Sequence, residues 1–218
     1  MNEVRERRTE YVITKRGKPV AKLAPCDDTP ADAFGILAGS VLGHDDIVSP
    51  DPDAWSEHAC RQHPVGRVVG PRPGRYDGEP LLLDTHIWLW YLEGTERELT
   101  PAALELLRRA NRAHQLLVSD VSVWEIGTKV AKGRLQLALD VSLWVARAER
   151  APGITFLPLD RPTLLFSTAL PGKVHGDPAD RMLIASALLQ GCALVTADRT
   201  IIGYARGEGP LTVIDARR

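Results

Sequence analysis

Three cysteines in 218 residues, Cys26, Cys60 and Cys192, are too few and too scattered for a disulfide framework, and none has the close spacing of a zinc site. No run of about 18 apolar residues occurs and no basic-then-apolar leader opens the chain. Neither a membrane span nor a signal peptide is therefore expected, and the cytoplasm is the expected compartment. Lysine and arginine are missing altogether between residues 27 and 57, where eight Asp and Glu give a local charge of −8 in a chain whose total is −1. A block so purely of one sign is either a solvated tail or a segment matched to a basic partner surface. No internal repeat is present.

What is there is ordinary globular material, 44% apolar and 25% charged. The length allows one core of about 130–150 residues with an appendage, or two small domains. Residues 81–218 alternate short apolar runs with helical patterns, which predicts an α/β domain with a parallel sheet. Leu81-Leu82-Leu83 reads as a strand ending at Asp84, and Ile87–Leu92 as a short helix closed by Gly94. Thr100-Pro101 opens a second helix with proline at its first position. Strands are expected at Gln115–Ser119, Thr155–Leu159, Ala193–Thr196 and Leu211–Ile214, and helices at Val121–Lys132 and Val141–Arg150. The clearest helix is Asp177–Gln190, with Pro178 at its start and Gly191 just past its end.

The first 80 residues differ. Tyr11-Val12-Ile13-Thr14, then Arg16-Gly17-Lys18, then Pro19–Leu23 reads as a β-hairpin with glycine at the turn. Residues 26–57 carry scattered apolar anchors, Phe34, Leu37, Ile47 and Trp55 among them, too sparse for a core of their own. Residues 58–80, rich in Pro, Gly and Arg, read as a linker. The resulting division is 1–25, 26–57, 58–80 and 81–218.

Asp84 and Asp198 each follow the end of an expected parallel strand, where the ligand crevice of a doubly wound sheet lies. Glu125 falls in the helix after the next strand, and Asp180 in the first turn of the helix opened by Asp177-Pro178. Four carboxylates converging there repel one another unless a cation neutralises them. Oxygen ligands without cysteine suit Mg²⁺ or Mn²⁺. Each residue also has a plainer reading. Asp177 is a natural helix N-cap, and Asp180 favours a helix dipole whatever else it does. Thr196 is either an orienting hydroxyl or a strand-end residue. His86 and His175 are candidate acid–base groups, but beside apolar runs they read as packed surface residues. Trp88, Trp90, Trp124 and Trp144 read as core.

Four segments in order, Leu81-Leu-Leu-Asp84-Thr-His-Ile-Trp, Ser122-Val-Trp-Glu125-Ile, His175-Gly-Asp-Pro-Ala-Asp180-Arg-Met and Leu194-Val-Thr196-Ala-Asp198, together resemble the PIN-domain toxins of the VapC type. The resemblance implies a Rossmann-like fold, usually dimeric, and a Mg²⁺/Mn²⁺-dependent endoribonuclease acting on RNA, tRNA being one candidate. Its acidic residues correspond to Asp84, Glu125, Asp180 and Asp198, with Asp177 in the same motif and Thr196 in support.

Glu10-Tyr-Val-Ile-Thr-Lys-Arg-Gly-Lys-Pro-Val-Ala-Lys-Leu-Ala-Pro25 resembles the hairpin of Phd/YefM-type (VapB-like) antitoxins, and Phe34 to Trp55 is similar to their toxin-neutralising tails. The resemblance implies a toxin–antitoxin fusion whose tail, through Phe34, Leu37, Ile47 and Trp55, covers the nuclease in cis or in a dimer mate. Arg61 and Arg67 are candidates for reaching the acidic crevice. Such antitoxins carry a further N-terminal strand and helix for DNA binding, and this chain starts partway along that helix, so operator binding is not expected. Two other readings remain: a non-enzymatic DNA-binding autorepressor, and a DNA-directed or structure-specific nuclease.

Overall fold

The computed structural model describes residues 11–15, 18–23, 32–49, 78–174, 176–207 and 210–217. The chain falls into two compact units, 1–31 and 32–218. In the first, β1 (Tyr11–Lys15) and β2 (Lys18–Leu23) pair antiparallel, the hairpin expected from the sequence.

The second unit is built on β4 (Leu81–Leu83), with β3 (Val41–His44) preceding it in the chain. Next come α1 (Thr85–Glu93), α2 (Pro101–Arg112), β5 (Leu116–Ser119), α3 (Asp120–Ala131), β6 (Leu135–Leu137) and α4 (Val141–Ala148). The unit continues through β7 (Ile154–Leu157), α5 (Arg161–Ser167), α6 (Pro178–Gln190), β8 (Ala193–Thr196), α7 (Arg199–Arg206) and β9 (Val213–Asp215). Five of these strands form a parallel sheet in the order β7-β5-β4-β8-β9. The chain builds outward from β4 through β5 to β7, then returns to the other side of β4 for β8 and β9. The order thus reverses between β4 and β8, and the crevice of such a sheet opens at the carboxyl ends of those two strands.

Side chains alternate across the sheet as strand geometry requires. Leu81, Leu83, Leu116, Val118, Ala193 and Val195 face one apolar cluster, with α1, α2 and Trp144 of α4. Leu82 and Leu194 face a second, with Leu183 and Ile184 of α6 and Ile201 of α7. Strands covered on both faces have no polar alternation to show, which is why they are unbroken apolar runs in the sequence.

The helix ends follow the expected chemistry. Thr100 caps α2 by accepting from the Ala103 amide, and Gly191 closes α6 in the left-handed conformation. Several short elements were not legible beforehand: β3, β6, α5 and α7. Trp124 departs from its expected place in the core and is 53% exposed, because it stands on the outward side of α3 while Val121 and Ile126 turn inward.

Residues 32–49 belong to the same compact unit as the sheet. Ala33, Leu37 and Ile47 are buried in the first cluster, with Phe34, Val41 and Val48 packed against it. Anchors too sparse for a core of their own have joined one already formed.

The acidic edge of the sheet

Asp84 is the residue after β4 and the N-cap position of α1, yet its side chain makes no capping bond. The carboxylate turns instead toward β8, where Oδ2 accepts from the Thr196 hydroxyl at 2.5 Å. Oδ1 lies 3.2 Å from Nδ1 of His86. The Ala197 amide donates to Nε2 of the same ring at 2.9 Å. A ring nitrogen that accepts from an amide carries no hydrogen, so the ring N–H sits on Nδ1 and donates to Asp84. His86 is therefore a buried positioning residue, not the packed surface residue its neighbours suggested.

Thr196 stands between Asp84 and Asp198. It ends β8, its hydroxyl donates to Asp84, and it accepts from the Asp198 amide at 2.9 Å. Asp198 caps α7, with Oδ1 accepting from the amides of Thr200 and Ile201. Asp84, Thr196 and Asp198 thus form one hydrogen-bonded chain across the switch point. Burial works to raise the Asp84 pKa, but the hydrogen bonds from His86, Thr196 and the Thr85 amide prevail and hold it below the usual carboxylate range.

Glu125 lies in the second turn of α3, which begins directly at the end of β5 and so starts at the same edge. Its Oε2 accepts from the Thr85 hydroxyl at 2.6 Å, and Oε1 lies 3.0 Å from the Lys129 ammonium one turn along. Burial chiefly, and the neighbouring Asp84 charge, push its pKa up despite Lys129 and Thr85. Lys129, itself buried, is the functional candidate the sequence reading missed. Its i,i+4 spacing from Glu125 was the available signal.

Asp177 caps α6, accepting from the Ala179 and Asp180 amides at 2.8 and 3.4 Å. Because α6 leads straight into the start of β8, its first turn, with Asp180, lies back at the edge where β4 and β8 end. Among the described residues, however, no three Asp, Glu, His or Cys side chains converge closely enough to hold an ion by themselves. Asp84 and Glu125 both engage Thr85, Asp84 through its amide and Glu125 through its hydroxyl, and the Asp84 charge adds to burial in raising the Glu125 pKa. Mg²⁺ commonly needs one or two carboxylates and keeps its remaining water ligands, so this pair fits such an ion. His175, Trp55, Arg61 and Arg67 lie outside the described residues.

Residues 32–49 are held to the rest of the second unit by specific bonds. Glu93, at the end of α1, accepts from the amides of Gly39 and Val41 at 3.0 and 3.1 Å and from the Ser40 hydroxyl. Ser40 in turn accepts from the Trp144 indole at 2.7 Å. Asn111 accepts from the Ala33 amide, Tyr91 donates to Asp32 at 2.6 Å, and Arg108 lies over the Phe34 ring. Beyond these, β3 pairs antiparallel with β6.

Residues 81–207 match the family model of the PIN domain. The chain belongs to the PIN domain family. Ribonuclease VapC22 of Mycobacterium tuberculosis (strain ATCC 25618 / H37Rv) is 34% identical over 134 residues, 61% of this chain and 97% of that protein. A chain of the crystal structure of VapBC2 from Rickettsia felis bound to a DNA fragment from their promoter aligns over 62% of this chain and 96% of its own. Its TM-score is 0.43 and its identity 15%. The PIN match spans Asp84, Glu125, Asp180 and Asp198 alike. Among the described residues, no helix of this PIN protein is long and apolar enough to cross a membrane.

Proposed function

We propose that the chain is a VapC-type, metal-dependent endoribonuclease held inhibited by its own antitoxin-like segment. The observation that carries the reading is the hydrogen-bonded chain Asp84–Thr196–Asp198 at the switch point, with Glu125 beside it. Asp84 and Glu125 would hold Mg²⁺ or Mn²⁺, with Asp180 and Asp198 completing the acidic set and Asp177 remaining a cap. Such an ion lowers the pKa of a bound water and neutralises phosphoryl charge. The residues around it do the positioning. Thr196 and His86 fix the Asp84 carboxylate, Thr85 fixes Glu125, and Lys129 offsets Glu125's charge. The 34%-identical relative is named a ribonuclease, which supports RNA as the substrate, tRNA among the candidates.

The docked segment supports the inhibitory half of the reading. In it, 1–25 is the remnant of an antitoxin hairpin domain, 26–57 the toxin-binding tail, 58–80 the linker and 81–218 the nuclease. Fusion makes docking intramolecular, so even a modest tail affinity keeps the surface covered. The protein would work in the cytoplasm, as a homodimer.

The test incubates the full chain and Asp84→Asn with RNA and with DNA of the same sequence, in Mg²⁺, Mn²⁺ or EDTA. Slow, metal-dependent cleavage of RNA alone, absent in Asp84→Asn, is expected. Cleavage that persists in EDTA or in the variant would refute the site, and cleavage of DNA in preference to RNA would favour the DNA-directed reading.

A further inference from the structure

Asp198 does more than cap α7. It lines a cleft of about 360 Å³ together with Arg199, Thr200, Trp90 and Arg217, and residues 44–49 of the docked segment form a further wall. Arg217 is the most firmly held of the cations there. Its guanidinium carbon lies 4.9 Å from the centre of the Trp90 ring, and Nη2 is 2.8 Å from Oε2 of Glu98. An aromatic face beneath it and an ion pair at its edge fix this planar group in one orientation. Trp90 is 3% exposed and packs edge-on against the His86 ring, with centroids 4.9 Å apart. His86 in turn holds the Asp84 carboxylate. A row of three planar groups thus runs from Asp84 out to Arg217 and sets the Arg217 plane in register with the acidic edge.

Trp90 covers one face of the guanidinium and Glu98 takes one of its nitrogens. The Arg217 side chain is nevertheless 41% exposed, so its opposite face is open. Arg199, the first residue of α7, is an exposed cation of the same cleft, immediately after Asp198. An open guanidinium plane beside a second cation suits an unpaired nucleotide, whose base stacks on the plane and whose phosphate meets the charge. Two of the neighbouring acids are already engaged: Asp198 Oδ1 accepts from the Thr200 and Ile201 amides, and Glu98 pairs with Arg217. Asp45 and Asp46 of the docked segment remain as opposing charge, which weakens the binding of an anion without filling the cleft.

We propose that this cleft seats one nucleotide of the RNA strand beside the bond that is cut, with its base stacked on Arg217 and its phosphate held by Arg199. The proposal rests on the nuclease reading of the same edge. It adds two substrate-binding residues that are not among the acids, and it gives the Asp84–His86–Trp90–Arg217 row a purpose: the stacked base and the carboxylate are held in fixed relation.

The test is equilibrium binding of two labelled single strands to the full chain in EDTA, between about 50 and 200 mM salt. One strand is an ordinary RNA oligonucleotide and the other has the same sugar-phosphate backbone without bases. The parent should bind the ordinary strand with a Kd of roughly 10⁻⁴ M, the weak end of charge-driven binding. Arg217→Lys keeps the charge and loses the plane. It should weaken the ordinary strand about fivefold or more, the loss of one stacked base, while the abasic strand and the salt slope stay as in the parent. Glu98→Gln removes the same ion pair but leaves the guanidinium over Trp90, and it should bind no more weakly than the parent. Arg199→Gln, at an exposed site, should weaken both strands and flatten the slope by about 0.7, one phosphate contact on a single strand. Unaltered affinity in Arg217→Lys, equal weakening of both strands by that variant, a loss of the same size in Glu98→Gln, an unchanged slope in Arg199→Gln, or no saturable binding by the parent would each overturn the proposal. A single-stranded DNA should behave as the RNA does, since neither contact involves the 2′-hydroxyl. The proposal can therefore fail while RNA cleavage stands, and stand if cleavage proves absent.

Discussion

Thr196 Oγ1 lies 2.5 Å from Asp84 Oδ2, joining two residues 112 positions apart at the ends of adjacent strands. The same oxygen accepts from the Asp198 amide. Thr196→Val keeps the shape and removes both bonds, leaving a buried amide and carboxylate short of partners. The expected loss is about 1–3 kcal/mol of stability, with cleavage reduced in parallel. Thr196→Ser should restore both. Thermal unfolding and RNA cleavage of the two variants check this. Valine at parental stability would mean the bonds carry no weight.

The opposite pKa shifts at the edge give a signed pH dependence. Glu125 is raised above its usual 4.5, so in the metal-free protein its contribution to stability is present below 4.5 and lost as pH rises through the folded-state value. Asp84 is lowered from 3.8, so its contribution is present above 3.8 and lost as pH falls through the folded-state value. The unfolding temperature of the parent minus that of Glu125→Gln, measured in EDTA across this range, should therefore rise toward acid as Glu125 protonates and then level off, while the loss of the Asp84 contribution lowers both alike. Parallel profiles would contradict the assignment. Added Mg²⁺ should stabilise the parent more as pH rises, since its ligands must be deprotonated.

Much of this edge is legible in the sequence because strands buried on both faces are bare apolar runs, and each ends at an acid: Leu81-Leu82-Leu83 at Asp84, and Ala193–Thr196 just before Asp198. The cap and stop of α6 are equally local, Asp177-Pro178 and Gly191. What is not legible depends on tertiary contact. The three residues of β6 form a strand only because β3 pairs with them, and α7 is a single amphipathic stretch that carries no stop glycine in the left-handed conformation. The role of His86 requires the Ala197 amide, 111 residues away, to reach its ring. The outward turn of Trp124 was hidden because a tryptophan in an apolar stretch is ordinarily core.

Gly94 should be intolerant of substitution. It closes α1 at φ +71°, and a Cβ there would lie 3.0 Å from the Gly35 Cα, on the backbone of the docked segment. Gly94→Ala should cost about 1 kcal/mol or more from the left-handed conformation alone, and should push residues 33–39 outward. Hydrogen exchange at the Gly35 and Leu37 amides, which donate to Tyr91 and Leu92, reports it directly. Protection equal to the parent's would contradict the close approach.

Cys192 should be inert. It is buried, and burial pushes its thiol up to about 11. At neutral pH it should resist alkylation in the folded protein and react only on unfolding. Rapid labelling of Cys192 under native conditions, read by mass spectrometry of the digested protein, would contradict the packing of α6 against β8.

If the acidic edge is a nuclease site covered by residues of its own chain, loosening that cover should release its activity. The most direct measurement is Mg²⁺-dependent RNA cleavage by the full chain carrying Glu93→Gln and Asn111→Ala, which weaken the bonds to Gly39, Ser40, Val41 and Ala33 while leaving the acids untouched. Cleavage about tenfold or more faster than the parent's, abolished when Asp84→Asn is added, is the predicted result. Cleavage no faster than the parent's in the folded variant, or cleavage indifferent to Asp84→Asn, would contradict it.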